Sequence, residues 1–264
     1  MRNRPSQTYW ITGASSGIGE ALSLALNQRG ERVIISARRA DELARVRQGC
    51  AFPDRVRVLP LDLSDTDALA QKVEEAVAAF GSVDVLINNG GISQRSRVSD
   101  TALDVDRRLM EVNFFGTVAL TKALLPHFVA RQAGHVVVIS SLVGKFGTPL
   151  RSAYAASKHA LHGFFDSLRA EHHRDNIRVT MVCPGFIRTQ VSVNALTGDG
   201  TRQNKMDQAQ EKGMSPEKCA RKTIRAIDRR REEVYIGGRE VAAVYVKRLF
   251  PSVFSRLLRR AKVT

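Results

Sequence analysis

The sequence predicts an α/β fold: a doubly wound parallel sheet with helices on both faces. Three observations predict it. Short runs rich in β-branched and aromatic residues alternate with stretches of helical period through most of the chain. The first run passes through a glycine-rich turn straight into a helical pattern, the context a dinucleotide-binding turn requires. Gly13, Arg38, Asp62, Asn89, Ser141 and Pro184 each follow the end of a predicted strand, so they gather at one rim, where ligands bind in such sheets.

Composition agrees. The chain has 264 residues, enough for a sizeable core, and a 43% hydrophobic content argues against disorder. Cys50, Cys183 and Cys219 are odd in number and far apart. They form neither a metal pattern nor a disulfide framework, which suits a reducing compartment. No separate apolar signal segment precedes the first strand, and no uncharged apolar run reaches the ~18 residues of a membrane span. The expectation is a soluble, cytoplasmic protein. The formal charge is +15, and residues 215–264 carry 14 Lys plus Arg against 5 Asp plus Glu, so most of the excess lies in the last fifth. Such charge attracts phosphates, anionic lipid or nucleic acid, or is simply solvated.

Residues 8–12 read as a buried strand. Gly13, Ser15, Ser16, Gly17, Ile18 and Gly19 make the turn, spaced G-x-x-x-G-x-G, and a helix follows with Leu22, Ala25 and Leu26 on one face. Glycines let the backbone approach a pyrophosphate, and the helix N-terminus offers N–H groups and a positive dipole end. Residues 32–37 form the second strand, ending in Arg38-Arg39 with Asp41 only beyond them. An acid at that point takes a ribose 2′-hydroxyl, whereas an Arg accommodates a 2′-phosphate, so NADP(H) is expected over NAD(H).

Residues 56–61 are a third strand closing at Asp62-Leu63; the carboxylate either accepts from an adenine amino group or caps the helix beginning near Asp65. A helix over 67–80 follows, then a fourth strand at 83–87 and Asn88-Asn89-Gly90-Gly91, whose small residues allow close cofactor approach. A long helical pattern covers 104–130. Asn113 inside it is a poor mid-helix residue, either a surface amide or a buried one that links Lys158 through water to solvent.

Residues 135–141 are the fifth strand and 152–172 a helix carrying Tyr154 and Lys158, one turn apart on one face. An ammonium beside a phenol favours the phenolate. Ser141 is placed to hold a substrate oxygen beside that tyrosine. His159 and His162 have no carboxylate or cysteine to complete a metal set. Residues 177–183 are the sixth strand, ending at Pro184-Gly185. Residues 190–213 are polar and irregular, a lid or a disordered loop. Ser215-Pro216-Glu217 opens a helix, and 234–236 is a last short strand. Residues 241–264 mix apolar residues with Lys and Arg, a basic amphipathic segment that either lies on a membrane surface or docks on the parent domain or a second subunit.

Thr12-Gly13-x-x-x-Gly17-x-Gly19, Asn88-Asn89-Gly90-Gly91, Asn113, Ser141, Tyr154-x-x-x-Lys158 and Pro184-Gly185 together resemble the short-chain dehydrogenase/reductase family over roughly residues 8–240. The resemblance implies a Rossmann-type domain of about seven parallel strands, in homodimers or homotetramers. It implies Tyr154 as general acid/base, Lys158 lowering its pKa and binding the nicotinamide ribose, Ser141 orienting the carbonyl, and Asn113 supporting the proton relay. Gly13, Ser15, Ile18, Asp62, Leu63, Asn89, Ile187 and Thr189 match positions that touch cofactor, with Ser16, Gly17, Gly19, Arg38, Arg39, Gly90, Pro184 and Gly185 completing the set. Gly90 stands where Ala is more common. Ser192-Val193-Asn194-Ala195 with Gly198-Asp199-Gly200, and the basic tail, resemble the branch of dehydrogenase/reductase member 7B, related to the 11β-hydroxysteroid dehydrogenases.

The reading is an NADP(H)-dependent oxidoreductase acting on an apolar or lipid-like carbonyl or alcohol, with Leu142, Val143, Phe146 and Phe186 lining the pocket and residues 190–213 closing over it. One alternative is a non-catalytic NADP(H) sensor of the same fold, against which the intact Asn113, Ser141, Tyr154 and Lys158 set argues. Nucleic-acid binding through the tail is not expected, since the tail has few stacking aromatics and no recognised motif. Epimerase or dehydratase chemistry usually comes with a longer C-terminal substrate region.

Overall fold

The structure, a computed structural model, describes residues 6–259. Its strands are β1 (Thr8–Thr12), β2 (Arg32–Ser36), β3 (Val56–Val58), β4 (Val85–Asn88), β5 (Gly134–Ile139), β6 (Ile177–Pro184) and β7 (Glu233–Ile236). They form one sheet in the order β3-β2-β1-β4-β5-β6-β7, every pair parallel. The helices are α1 (Gly17–Gln28), α2 (Ala40–Gln48), α3 (Leu69–Phe80), α4 (Leu103–Met110), α5 (Gly116–Ala130), α6 (Ser152–Glu171), α7 (Gln208–Glu211), α8 (Pro216–Asp228), α9 (Ala242–Leu249) and α10 (Pro251–Leu258).

Side chains alternate across a strand, so each strand feeds two cores. Tyr9, Ile11, Val33 and Ile35 pack with Leu22 and Leu26 of α1, Leu43 of α2 and Ile224 of α8. Trp10 and Ile34 point the other way, onto Val73 of α3, Leu120 and Leu124 of α5, and Phe165 of α6. Two fully buried apolar layers on a parallel sheet are the Rossmann-type arrangement. The strand order reverses between β1 and β4, which opens a crevice at their carboxyl ends.

Several boundaries differ from the sequence expectation. β3 ends at Val58 rather than 61, although Leu59 and Leu61 still donate to the carbonyls of Ile35 and Ala37. The helix expected from 67 begins at Leu69, after turns built on Asp62 and Thr66. The long helix is continuous but contains a π-helical turn, Glu111–Phe115, around Asn113. By length and composition Leu103–Ala130 is apolar enough to cross a membrane, yet Leu120, Leu124 and Phe128 are buried on the sheet.

Residues 190–213 are not structureless. Leu196 bridges both Gln94 and Arg202, α7 lies within the segment, and Ser192, Ala195, Leu196 and Asp207 are buried. Its polar residues are spent on one another and on the domain beneath, which a polarity reading alone does not reveal. The described part of the C-terminal segment folds as α9 and α10, with Val244 and Phe254 buried and Phe254 edge-on to Phe146. The segment's last residues, 260–264, with Arg260 and Lys262, lie outside the described residues, as do 1–5.

Candidate active site

The crevice is built first by the turn after β1. Gly13 (φ +64°) and Gly17 (φ +59°) occupy the left-handed region that favours glycine. A Cβ on Gly13 would sit 2.8 Å from the Gly90 Cα, and one on Gly19 would collide with the Gly13 carbonyl. No side chain caps α1: Ser16 is at its N-cap without a capping bond, so the first-turn N–H groups are left to a ligand. Thr12 ties this turn to the one after β4. Its Oγ1 accepts from the N–H of Asn89 (3.0 Å) and Gly90 (2.9 Å), while Asn89 Nδ2 donates to the carbonyls of Thr12 (2.9 Å) and Gly13 (3.1 Å).

At the end of β2, Arg38 and Arg39 are exposed and line the crevice, and Arg39 donates to Ser15 Oγ at 3.4 Å. Asp62 caps no helix: its Oδ1 accepts from Ser64 N–H and Oγ in a turn well ahead of α3, and the residue borders the crevice. Burial pushes its carboxyl up, but the Ser64 bonds and the charges of Arg38 and Arg108 leave it below the usual range.

Ser141, Tyr154 and Lys158 come together on the opposite wall, delivered by the end of β5 and the first two turns of α6. Ser141 Oγ donates to the Pro184 carbonyl (3.3 Å), accepts from Val143 N–H (3.3 Å) and is hydrogen-bonded to the Tyr154 side chain. Lys158 Nζ is 5.9 Å from the Tyr154 ring centroid, but it donates to the Ile139 carbonyl at 2.9 Å. Burial lowers the Lys158 ammonium to about 8. Burial drives the Tyr154 phenol above its ordinary value, and the charges of Arg151 and Arg95 and the Ser141 hydrogen bond oppose that rise. Helical spacing brings Lys158 to the right face, but the side chain reaches past the phenol to the sheet.

Asn113 is fully buried, which excludes the surface-amide reading. Its Oδ1 accepts from Ile92 N–H (2.8 Å), and Nδ2 donates to the Ile92 carbonyl (2.9 Å) and Ser157 Oγ (3.0 Å). Ser157 Oγ in turn donates to the Tyr154 carbonyl at 2.8 Å. Asn113 thus supports the catalytic helix directly, and Gly19 and Asn113 are the two predicted site residues that stand behind the crevice wall rather than on it.

Sequence reasoning missed Gln94, Arg95, Arg151, Asp207 and Glu240. Gln94 is fully buried and bonds the first turn of α6. Arg95 and Arg151 both pair with Asp207. Glu240 Oε1 accepts from Phe186 N–H at 3.3 Å, in space left by Gly185 and Gly237. The one local signal was Gly237-Gly238 just before Glu240; the others act across long stretches of sequence. The crevice measures about 1070 Å³ and continues from the glycine turn into an apolar end lined by Leu142, Val143, Phe146, Phe186, Val246 and Phe254.

Known proteins share this arrangement. The profile described as short chain dehydrogenase matches residues 7–199. Dehydrogenase/reductase SDR family protein 7-like of Drosophila melanogaster is 46% identical over all of this chain and 83% of its own length. Dehydrogenase/reductase SDR family member 7B of Bos taurus is 43% identical over 94% of this chain and 79% of its own. A short-chain dehydrogenase from Streptomyces avermitilis superposes with a TM-score of 0.82 at 30% identity, covering 96% of this chain and 95% of that one. The glycine turn of β1, the Ser141–Tyr154–Lys158 wall and these likenesses place the chain in the short-chain dehydrogenase/reductase family of oxidoreductases.

Proposed function

We propose that the protein is an NADP(H)-dependent oxidoreductase that reduces an apolar, lipid-derived ketone or aldehyde. The observation that carries this reading is the crevice itself: the glycine turn, Ser141, Tyr154 and an apolar set that includes Leu142, Val143, Phe146 and Phe254 all line it. The left-handed glycines and the uncapped start of α1 fit a dinucleotide pyrophosphate. Arg38 and Arg39, with no carboxylate at the end of β2, fit a 2′-phosphate. In this reading Lys158, which lines the same crevice, meets the nicotinamide ribose. When bound, the cofactor supplies or accepts the hydride.

Ser141 Oγ holds the substrate oxygen, and Tyr154 gives that oxygen its proton during reduction or takes it during oxidation. Leu142, Val143 and Phe146 exclude water from the reacting carbon. Reduction is the favoured direction because cells keep NADPH reduced. The same reading includes a homodimer or homotetramer, supported by exposed Leu103 at the start of α4 and exposed Phe115 in the π-helical turn. It includes a cytoplasmic location with peripheral contact to anionic membrane, supported by exposed Tyr245, Leu249, Phe250 and Val253 beside Lys247, Arg248 and Arg256.

The test is NADPH and NADH consumption over a panel of ketones and aldehydes, from small to lipid- and steroid-sized, with Tyr154→Phe beside the parent. NADPH turnover that grows with the apolar size of the carbonyl and vanishes in Tyr154→Phe is the expected result. Turnover with NADH alone overturns the cofactor assignment. Full activity in Tyr154→Phe overturns the proton-transfer role. Tight NADPH binding with no turnover on any carbonyl favours a cofactor sensor.

A further inference from the structure

Gln210, the third residue of α7, brings to the crevice a buried polar group that the protein itself leaves unbonded. The residue lines the crevice and is only 8% exposed, and its Oε1 is buried with no hydrogen-bond partner among the described residues. Buried amide oxygens are nearly always bonded, so one that is not calls for a reason. A second such atom borders the same crevice: Thr148 Oγ1, in the turn between β5 and α6, is also buried without a partner.

The turn that carries Gln210 is anchored on both sides. Its N–H donates to the Asp207 carbonyl at 3.1 Å, and Asp207 Oδ2 accepts from Arg95 Nε (2.8 Å) and Arg151 Nη2 (3.2 Å). Asp207 is held further by Gln203 Nε2 on Oδ1 (3.2 Å) and by Ser192 Oγ on its N–H (3.3 Å). On the other side, Gly213 N–H donates to the Gln210 carbonyl at 3.0 Å, and Met214 N–H donates to the Phe186 carbonyl at 2.9 Å. A Cβ on Gly213 would lie 2.9 Å from the Gln210 carbonyl oxygen and 2.5 Å from that of Phe186, so the two main chains pass closely there. Gln210 is therefore tied through Asp207 to Arg151, three residues before Tyr154, and through Gly213 to Phe186 at the apolar end.

The chemistry of the two groups selects what they bind. A glutamine amide holds an acceptor and a donor on one carbon, and a threonine hydroxyl does both, so the group that suits each is one that also does both: a hydroxyl. A hydrocarbon chain bonds neither. A second carbonyl or an ionised carboxylate only accepts, and leaves the Gln210 oxygen unbonded. An ammonium donates, but Arg95, Arg108, Arg151, Arg202 and Lys158 line the same crevice and disfavour a cation. We propose that Gln210 is a specificity-determining residue that takes a hydroxyl group carried by the substrate in addition to its reacting carbonyl. The preferred substrates are then hydroxylated apolar ketones or aldehydes. This rests on the reading of the crevice as the site of carbonyl reduction.

The experiment compares matched pairs of apolar carbonyl compounds, with and without one hydroxyl, the hydroxyl being moved stepwise along the chain from the carbonyl. The readout is the ratio of kcat/KM for the two members of a pair with NADPH. In the parent the best pair is expected to favour the hydroxylated member at least about tenfold, mainly through KM, because a site built to bond a hydroxyl rejects the analogue lacking it. In Gln210→Leu that ratio is expected to fall to about one, with NADPH affinity unchanged by fluorescence titration. A merely structural role lowers both members alike and preserves the ratio. A parent that favours no hydroxylated member overturns the proposal, as does a ratio that survives in Gln210→Leu. Loss of NADPH affinity in that variant also overturns it, since Gln210 then serves the cofactor. Gln210→Met carries the test if Gln210→Leu does not fold. The same pairs are titrated onto NADPH-saturated Tyr154→Phe, where binding is read without turnover. Absence of turnover on every carbonyl sinks the reading of the reaction, whereas equal binding of every pair sinks this inference.

Discussion

The side-chain carbonyl of Gln94 accepts from the main-chain N–H of Tyr154 at 3.4 Å, and from that of Ala153 at 3.0 Å. Helix α6 has no capping side chain of its own, since Arg151 at its N-cap makes no such bond. Gln94 caps it from 59 residues away, and its Nε2 also reaches Ser152 Oγ at 3.2 Å. Gln94→Ala leaves buried first-turn N–H groups unsatisfied. It is expected to cost about 1–3 kcal/mol in urea unfolding. Because Tyr154 loses its register, kcat is expected to fall more than KM rises.

Gly19→Ala drives a methyl group into the carbonyl of Gly13, where no side chain can move aside. NADPH affinity is expected to fall at least about tenfold, equivalent to roughly 1.4 kcal/mol. Gly81→Ala is the comparison. Gly81 also has a positive φ, +77°, but a Cβ there meets nothing within 4 Å. It is expected to lose about 1 kcal/mol of stability to backbone strain and to bind NADPH normally by fluorescence titration.

His135 is buried against Thr180, with burial and the charges of Arg178 and Arg230 holding its imidazole down to about 4. In the unfolded chain it titrates near 6.5. Between those values the unfolded state binds the extra proton, so stability falls as pH drops from about 6.5 toward 4 and is fully present above that window. At pH 5 this one group removes roughly 2 kcal/mol relative to pH 7. His135→Gln is expected to flatten the pH 7-to-5 loss by about that amount in urea titrations.

Glu240 holds the turn after β6 by accepting from Phe186 N–H. Glu240→Ala frees Phe186, whose ring borders the apolar end of the crevice. The expected result is a KM for bulky carbonyls raised several-fold, with kcat changed less. Glu240→Gln keeps an acceptor and is expected to stay within about twofold of the parent, since the lost charge leaves the bond in place at a cost of about 0.4 kcal/mol.

The sheet was legible because residues such as Trp10-Ile11 and Val136-Val137-Val138 declare buried strands locally, and because Gly13, Gly17 and Gly19 mark a turn that only small residues allow. Tyr154 and Lys158 were legible as neighbours from helical spacing alone. What spacing does not carry is where a long side chain ends: Lys158 reaches Ile139, and the cations acting on the phenol come from Arg151 and Arg95. Arg95 meets Asp207 across 112 residues of chain, in a stretch whose polarity reads as loop. Such pairings exist only after the fold has formed.

Phe254, Leu257 and Leu258 of α10 form part of the crevice wall, while Ser141 lies in the turn after β5 and Tyr154 and Lys158 on α6. The apolar part of the crevice thus draws on two distant stretches of the chain, Leu142, Val143 and Phe146 just after Ser141 and the helices that follow β7. Sequence change in the tail therefore reshapes the apolar cluster against which Tyr154 itself packs.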